Sequence, residues 1–182
     1  MRANWLGLMW LCLMLLISAP TLAAVPSVTN VGGATIEVCI APTIQTSAYT
    51  TGYTLTGSFI PFANAVGTLG TGILQSVRID IKSAQTAEFD VTFFAGVPST
   101  SLTINTAPGL SSADVLLAYP PIKLTSYYAG LSGTSTVYGF DGIGRAINLA
   151  QTTMYALVIV VGTPTFTTTS DFQICVTILR DN

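Results

Sequence analysis

Strict alternation of apolar and charged residues marks the stretch VRIDIK at residues 77–82, and a similar alternation returns in EFDVTFF at 88–94. A period of two is typical of β-strands that bury one face and expose the other. The two stretches are separated only by residues 83–87, a connection short enough for a hairpin. We therefore expect 77–82 and 88–94 to pair as a hairpin with a charged outer face.

Strand-like runs of this kind follow one another along the chain, with Gly, Pro, Asn and Ser between them. The predicted strands are 34–41, 52–62, 72–82, 88–95, 100–105, 121–128, 134–140, 145–149, 152–162 and 171–180. Their short spacing favours an all-β fold, a single antiparallel β-sandwich that is jelly-roll-like, over a parallel α/β sheet. At most one short helix is expected, at Ser111–Ala118, capped by Ser111 or Ser112 and stopped by the prolines at 120–121.

Two further segments need separate interpretations. The run ALVIVV at 156–161 is apolar on both faces, which predicts either a central strand covered on each side or part of an interface. The segment GFDGIGR at 139–145 contains Gly-x-Gly but lacks a strand–helix phosphate-binding context. It is interpreted as a tight turn that joins two strands.

The composition excludes several classes of function. Only 8% of the 182 residues are charged, against roughly 25% in typical soluble domains. The net charge is −2 and no basic cluster occurs, so the sequence carries no electrostatic footprint for nucleic acid. No cofactor motif is present, and none is expected to be bound.

The N-terminus has the pattern of a secretory signal. Arg2 precedes an apolar run at residues 5–17, and small residues at 18–24 suit cleavage after Ala23 or Ala24. The run is shorter than the roughly 20 residues needed to span a bilayer. We predict a signal peptide at 1–24, a β-sandwich domain at 25–182, and export to the periplasm or the outside. An uncleaved membrane anchor or a wrongly assigned start codon are the alternatives.

Loss of the signal would remove Cys12 and leave Cys39 and Cys175. An even pair in an oxidising compartment is a disulfide candidate. Alternation places both thiols on the polar faces of the first and last strands, so a bond forms if these strands are neighbours. Such a bond would close a loop of about 136 residues and contribute on the order of 5 kcal/mol. Two unpaired, half-buried cysteines are the alternative.

The sequence contains few residues that could form a catalytic site. There is no histidine, which removes His-dependent triads and the usual zinc sites. The best remaining group is Asp80, Glu88 and Asp90, which the expected hairpin would place on one face. A carboxylate pair or a calcium site could use them, but Arg78 and Lys82 share that face and favour ion pairing instead. We predict that the protein is not an enzyme.

The order of segments resembles a family of small virion structural proteins of tailed bacteriophages, found as head decoration or related particle-surface proteins. The likeness covers about residues 45–182, and its segments are YTTGY at 49–53, GILQSVRID at 72–80, EFDVTFF at 88–94, SSAD at 111–114, LVIVVGTPTF at 157–166 and SDFQI at 170–174. The resemblance implies a β-sandwich that attaches to a viral shell, and it brings no catalytic residues. The predicted signal departs from this family, because phage heads assemble in the host cytoplasm.

Two functions of different classes follow. The first is a non-enzymatic structural protein that self-associates or attaches to a protein lattice, located in a virion. The second is a secreted β-sandwich module that binds carbohydrate or a cell surface; such a module would have no membrane contact once its signal is cleaved.

Intact-mass measurement of the exported protein tests both N-terminal predictions at once. We expect a mass lacking residues 1–23 or 1–24 and two hydrogens lighter than the reduced chain, because the signal is removed and the Cys39–Cys175 bond is formed. A full-length mass, or no loss of two hydrogens relative to a reduced control, would contradict the respective prediction.

Overall fold

Nine strands and one short helix make up the part of the chain that the computed structural model describes, residues 33–125, 127–129 and 134–181. The predicted signal peptide at 1–24 lies outside these residues. In chain order the elements are β1 (Ala34–Ile40), β2 (Ile60–Phe62), β3 (Thr71–Ile81), β4 (Glu88–Phe94), α1 (Ser112–Leu117), β5 (Ile122–Leu124), β6 (Tyr127–Ala129), β7 (Thr136–Asn148), β8 (Met154–Val161) and β9 (Phe172–Arg180). No described helix is long and apolar enough to span a membrane.

The strands form two antiparallel sheets with the order β1-β9-β3-β7-β6 in one and β2-β8-β4-β5 in the other. From β1 to β4 the chain changes sheet at every step, and β8 and β9 also lie in different sheets. This is the strand order of a jelly roll, with the short β6 added at one edge. The predicted all-β, jelly-roll-like sandwich with one short helix is confirmed.

One hydrophobic core fills the space between the sheets. The inner face of β3 supplies three fully buried residues, and the inner face of β4 supplies three more. They are Val77, Ile79, Ile81, Phe89, Val91 and Phe93. Each sheet thus covers the apolar face of the other, as expected for sheets packed about 10 Å apart.

Phe89 joins the two sheets at the centre of this core. Its ring lies 5.2 Å from the Tyr138 ring and 5.7 Å from the Phe172 ring, both edge-on and both from the opposite sheet. The Tyr138 hydroxyl donates a hydrogen bond to the carbonyl of Ala87, just before β4 begins. Edge-to-face pairs of this kind contribute beyond the area they bury, so β4 is fixed at its start by rings from β7 and β9.

The predicted hairpin of 77–82 with 88–94 is wrong. β3 pairs with β7 and β9, whereas β4 pairs with β5 and β8 in the other sheet. Residues 82–87 cross from one sheet to the other. The physical reason is burial: each stretch has a large apolar face, and facing one another across the sandwich covers both faces at once.

Several strand boundaries also differ from prediction. The predicted strand 52–62 is regular only at 60–62, with a single bridge from Thr54 to Ile159, and 100–105 is a loop. The predicted strand 121–128 is divided into β5 and β6.

The turn predicted at 139–145 is wrong as well, because β7 runs unbroken from Thr136 to Asn148. The pairing shifts instead: Leu74 faces Arg145 while Ser76 faces Asp141, so 142–144 bulge opposite Gln75. Gly142 and Gly144 have φ values of 69° and 61°, the left-handed region that glycine adopts without strain. The glycines therefore correctly indicated left-handed backbone in this segment, but the chain does not reverse its direction there.

Strand β8 is central and covered on both faces, as one of the two interpretations of 156–161 predicted. Its inner residues, such as Val158, belong to the main core. On its outer face, Leu157 packs with Phe94 and Leu102 in a second small cluster. The cover comes from residues 95–118 of the same chain, which we call the arm.

Replacing Phe89 by alanine tests the central role of this ring. We expect Phe89→Ala to lower the free energy of unfolding by about 3–5 kcal/mol, because it removes a fully buried ring and two ring contacts. Urea denaturation would measure the change. The matched control is Phe140→Ala, since Phe140 is 46% exposed on β7; equal losses in both variants would contradict the assignment.

Candidate interaction surface

The disulfide joins Cys39 to Cys175, which face each other in register on the neighbouring strands β1 and β9. As expected from alternation, both sulfurs lie on the outer face of the five-stranded sheet. Cys39 is exposed, while Cys175 is buried at 1% exposure. The bond ties the first described strand to the last.

Arg78 crosses over the disulfide on this outer face. Its guanidinium contacts Glu37 at 3.1 Å and Asp80 at 3.0 Å, and it donates a 3.5 Å hydrogen bond to the Sγ of Cys175. The ion pairs are about half exposed, so their contribution to stability is small. Glu37, Cys39 and Cys175 lie close enough together to suggest a metal site. Both sulfurs are consumed by the disulfide, however, and cannot act as thiolate ligands.

The three carboxylates that the hairpin would have gathered are separated. Asp80 lies on the outer face of the five-stranded sheet, whereas Glu88 and Asp90 lie on β4 in the other sheet. Asp90 pairs across the strands with Lys123 at 3.7 Å. Ion pairing was the right kind of interaction. Asp80 pairs with Arg78 as the shared face suggested, whereas the other partners, Glu37 for Arg78 and Lys123 for Asp90, lie outside the predicted hairpin.

Asp114 is the carboxylate that shapes the arm. It is buried at 1% exposure on α1, and its oxygens accept hydrogen bonds from the backbone N–H of Ser99 at 2.7 Å and of Thr100 at 3.0 Å. Both hydroxyls donate to it as well. Ser111 caps the helix by accepting from the Asp114 N–H at 3.1 Å. The hydroxyl of Thr100, followed by the other donors, holds the pKa of Asp114 well below its usual range.

Asp171 fixes the turn before β9 in the same way. Burial opposes its charge, but hydrogen bonds from the hydroxyls and backbone N–H groups of Thr167 and Thr168 outweigh burial and lower its pKa. Its carbonyl accepts from the N–H of Lys82 at 2.9 Å. Two of the chain's few charges are therefore used to hold loops.

The arm presents three exposed apolar side chains, which we call the tip patch: Val97 at 58%, Val115 at 57% and Leu116 at 87% exposure. Val97 belongs to a segment that is tied to the helix region at two points, on either side of it. Ala95 N–H donates to the Leu117 carbonyl at 2.8 Å, and the Ser99 N–H binds Asp114. Leu117 packs inward on the second cluster, so its neighbours on this short helix are left to face outward.

The tip patch was not predicted from sequence, although a signal existed. A helix of six residues that carries three consecutive apolar residues, VLL at 115–117, can turn only part of them towards a sheet.

A groove of about 430 Å³ lies between the β1–β2 connection and the start of β2. Ile40, Phe59, Ile60 and Ile104 line it, and none of its lining residues is charged. It offers apolar contact and a few hydroxyls, with no titratable group for acid–base chemistry.

No protein-family model matches the chain, and no curated protein matches it. Among solved structures, the chain is similar to a chain in the structure of the infectious bursal disease virus Gx strain, at 12% identity and a TM-score of 0.20, covering 83% of this chain and 38% of that one. A crystal structure of the T13 IBDV viral particle gives 10% identity and a TM-score of 0.17, covering 81% and 35%. The chain spans little more than a third of those viral chains, and likeness at this level does not identify a function.

Substitution of Asp114 by asparagine should loosen the arm in a pH-dependent way. Because folding lowers the pKa of Asp114 below its unfolded value of about 3.9, its stabilising contribution is complete above that value and is lost as the pH falls towards the folded pKa. Asp114→Asn should therefore be less stable than the wild type at pH 7, and the difference should shrink below about pH 4.

Urea denaturation from pH 7 to pH 2 measures this difference. Asp141→Asn is the matched control, since Asp141 is exposed on β7; it should follow the wild type throughout. A gap between Asp114→Asn and the wild type that stays constant with pH would contradict the role of the ionised carboxylate.

Proposed function

We propose that this chain is a non-enzymatic structural protein of a virus particle surface, of the decoration type that its sequence resembles among tailed bacteriophages, and that it acts by protein–protein association. The observation that carries the proposal is the tip patch. Three apolar side chains project from a segment that the fold holds in place and that presents no charge.

The arm carries no surface charge, a property that it shares with other long stretches of this chain, such as residues 38–77 and 146–170. Asp114 is the single charged residue between positions 95 and 118, and it is buried. The cores of protein interfaces are depleted in charged residues, whereas soluble surfaces are rich in them. A neutral surface with exposed apolar side chains at its tip therefore suits contact with another protein better than permanent exposure to water.

Preorganisation supports the same role. The arm is fixed by the Asp114 hydrogen bonds at one end and by bonds to the β1–β2 connection at the other, where the Thr54 hydroxyl donates to the Thr103 carbonyl at 2.6 Å and its N–H to Thr106 at 2.9 Å. A surface ordered before contact loses less conformational entropy on binding.

The architecture is compatible with this use. Jelly rolls occur in viral capsid proteins and also in lectins and cupins, so the fold alone does not decide between them. The sequence has no histidine, and its carboxylates on strands β3 and β4 are engaged in ion pairs or divided between two sheets. These features favour a structural role over a catalytic one.

Replacing Leu116 by aspartate tests the proposal. Sedimentation velocity over a range of protein concentrations should show reversible self-association of the wild type, and Leu116→Asp should weaken it about tenfold or more, because a charge at the centre of an apolar contact is left without a partner. Stability should not change, since this side chain is 87% exposed.

Leu69→Asp is the matched control, because Leu69 is 73% exposed in the turn before β3, outside the arm. It should associate like the wild type. A strictly monomeric wild type, or equal effects of both substitutions, would overturn the assignment of the tip patch.

A further inference from the structure

Strand β1 is the least embedded strand whose side chains the structure describes. None of its seven residues is buried; Ile36, Val38 and Ile40 are half-buried and the others are exposed. Its partner β9 is the opposite case, with Phe172, Ile174, Cys175, Val176 and Ile178 all buried. Loss of the β1–β9 pairing would therefore expose buried residues of β9, whereas the residues of β1 are already largely exposed.

Few interactions keep β1 in place. It pairs with β9 from Ala34 opposite Arg180 to Ile40 opposite Ile174. The other ties are the disulfide, the half-exposed Glu37–Arg78 ion pair, and the packing of the half-buried Val38 and Ile40 against the main core. Without the covalent bond, departure of this strand would uncover only the edge of the main core where Val38 and Ile40 pack.

β1 is also the longest described edge strand. The other three edges, β2, β5 and β6, have three residues each, whereas β1 has seven. Long regular edges are the sites where chains add or exchange strands. The remaining open stretch of β7 is interrupted by its bulge, which blocks regular pairing.

A short hinge follows β1. Ala41, Pro42 and Thr43 are exposed or half-buried, and the next residue, Ile44, is already fixed in the core at 1% exposure. A short connection limits how β1 folds back onto its own sheet, which favours exchange between copies.

We propose that the slot along β9 accepts β1 from a second copy of this chain, and that the Cys39–Cys175 bond decides which copy's strand is locked there. The second copy brings the same strand in the same register, so every contact of the β1–β9 ladder is reproduced. The inference concerns a surface distinct from the tip patch and does not rest on the proposed function.

The disulfide is arranged to permit this exchange. Cys39 is the more exposed of the two cysteines, so an incoming thiolate attacks its sulfur, forms a bond with it and breaks the Cys39–Cys175 bond. The leaving Cys175 thiolate is stabilised by the Arg78 guanidinium, whose Nη2 lies 3.5 Å from that sulfur. When this thiolate attacks Cys39 of a second copy, an intermolecular bond forms and the Cys175 thiolate of the second copy is released. That thiolate then attacks the mixed disulfide on Cys39 of the first copy, which forms the second intermolecular bond and releases the initiating thiolate. Two intramolecular bonds thus become two intermolecular bonds, with no net oxidation and with the initiating thiol regenerated.

Complementary single-cysteine variants test the exchange. Cys39→Ser and Cys175→Ser chains, both also carrying Cys12→Ser and Leu116→Asp, would be mixed and oxidised with oxidised glutathione, which accepts the electrons of the two thiols. Only an exchanged pair places Cys39 of one chain opposite Cys175 of the other. We expect about tenfold or more covalent dimer in the mixture than in either chain alone, because the ladder holds the two thiols together. Peptide mass mapping should locate the link at Cys39–Cys175.

A second arm keeps the native cysteine pair. Folded Cys12→Ser, Leu116→Asp protein at high concentration would receive a catalytic amount of reduced glutathione. A concentration-dependent dimer linked at Cys39–Cys175, seen without reductant in a denaturing gel, is the expected result. Only monomer at every concentration would overturn the proposal, whatever the single-cysteine chains do. Because Leu116→Asp removes the tip patch in both arms, the outcome is separate from that of the proposed function.

Discussion

The packing of Phe89 between Tyr138 and Phe172 is the contact on which the sandwich depends. This contact brings β4 of one sheet against β7 and β9 of the other. Both of these strands are hydrogen-bonded neighbours of β3. The rings therefore place the apolar faces of β3 and β4 opposite each other. Once these two faces meet across the core, the connection at 82–87 must cross between the sheets, as it does in the jelly-roll order.

Local pattern predicted the strands well and their partners less well. The alternation in 77–82 and 88–94 correctly identified which side chains are buried, because inward and outward positions are a property of a single strand. Pairing depends on the whole molecule: a short connection is equally compatible with a hairpin and with a step between sheets. The choice was decided by how much apolar surface each strand had to cover, which involves residues such as Phe172 far away in the sequence.

The segment at 139–145 failed for a related reason. Glycines at 142 and 144 do adopt left-handed backbone, as a turn would require. A bulge uses the same conformations, and only the pairing of the flanking residues with β3 tells the two apart. The disulfide was more accessible to sequence reasoning, since it needed only the faces of two strands and the single condition that they be neighbours. The burial of Asp114 was not accessible in that way, because its partners come from a loop: Thr100 had been placed at the start of a predicted strand, and Ser99 just before it.

The few charged residues of the chain serve mainly to hold its structure together, which leaves much of its surface uncharged. Asp114 on α1 and Asp171 before β9 are both buried and accept hydrogen bonds from loop residues, which fixes the arm and the turn before β9. A further group, Glu37, Arg78 and Asp80, is gathered over the disulfide. The same use of charge that orders the arm leaves its outer side neutral, and a neutral, rigid, apolar-tipped surface is poorly suited to remain alone in water. The bracing of the arm and its lack of surface charge thus have one physical origin in this molecule: the single carboxylate of the arm, Asp114, is buried in the contacts that hold the arm in shape.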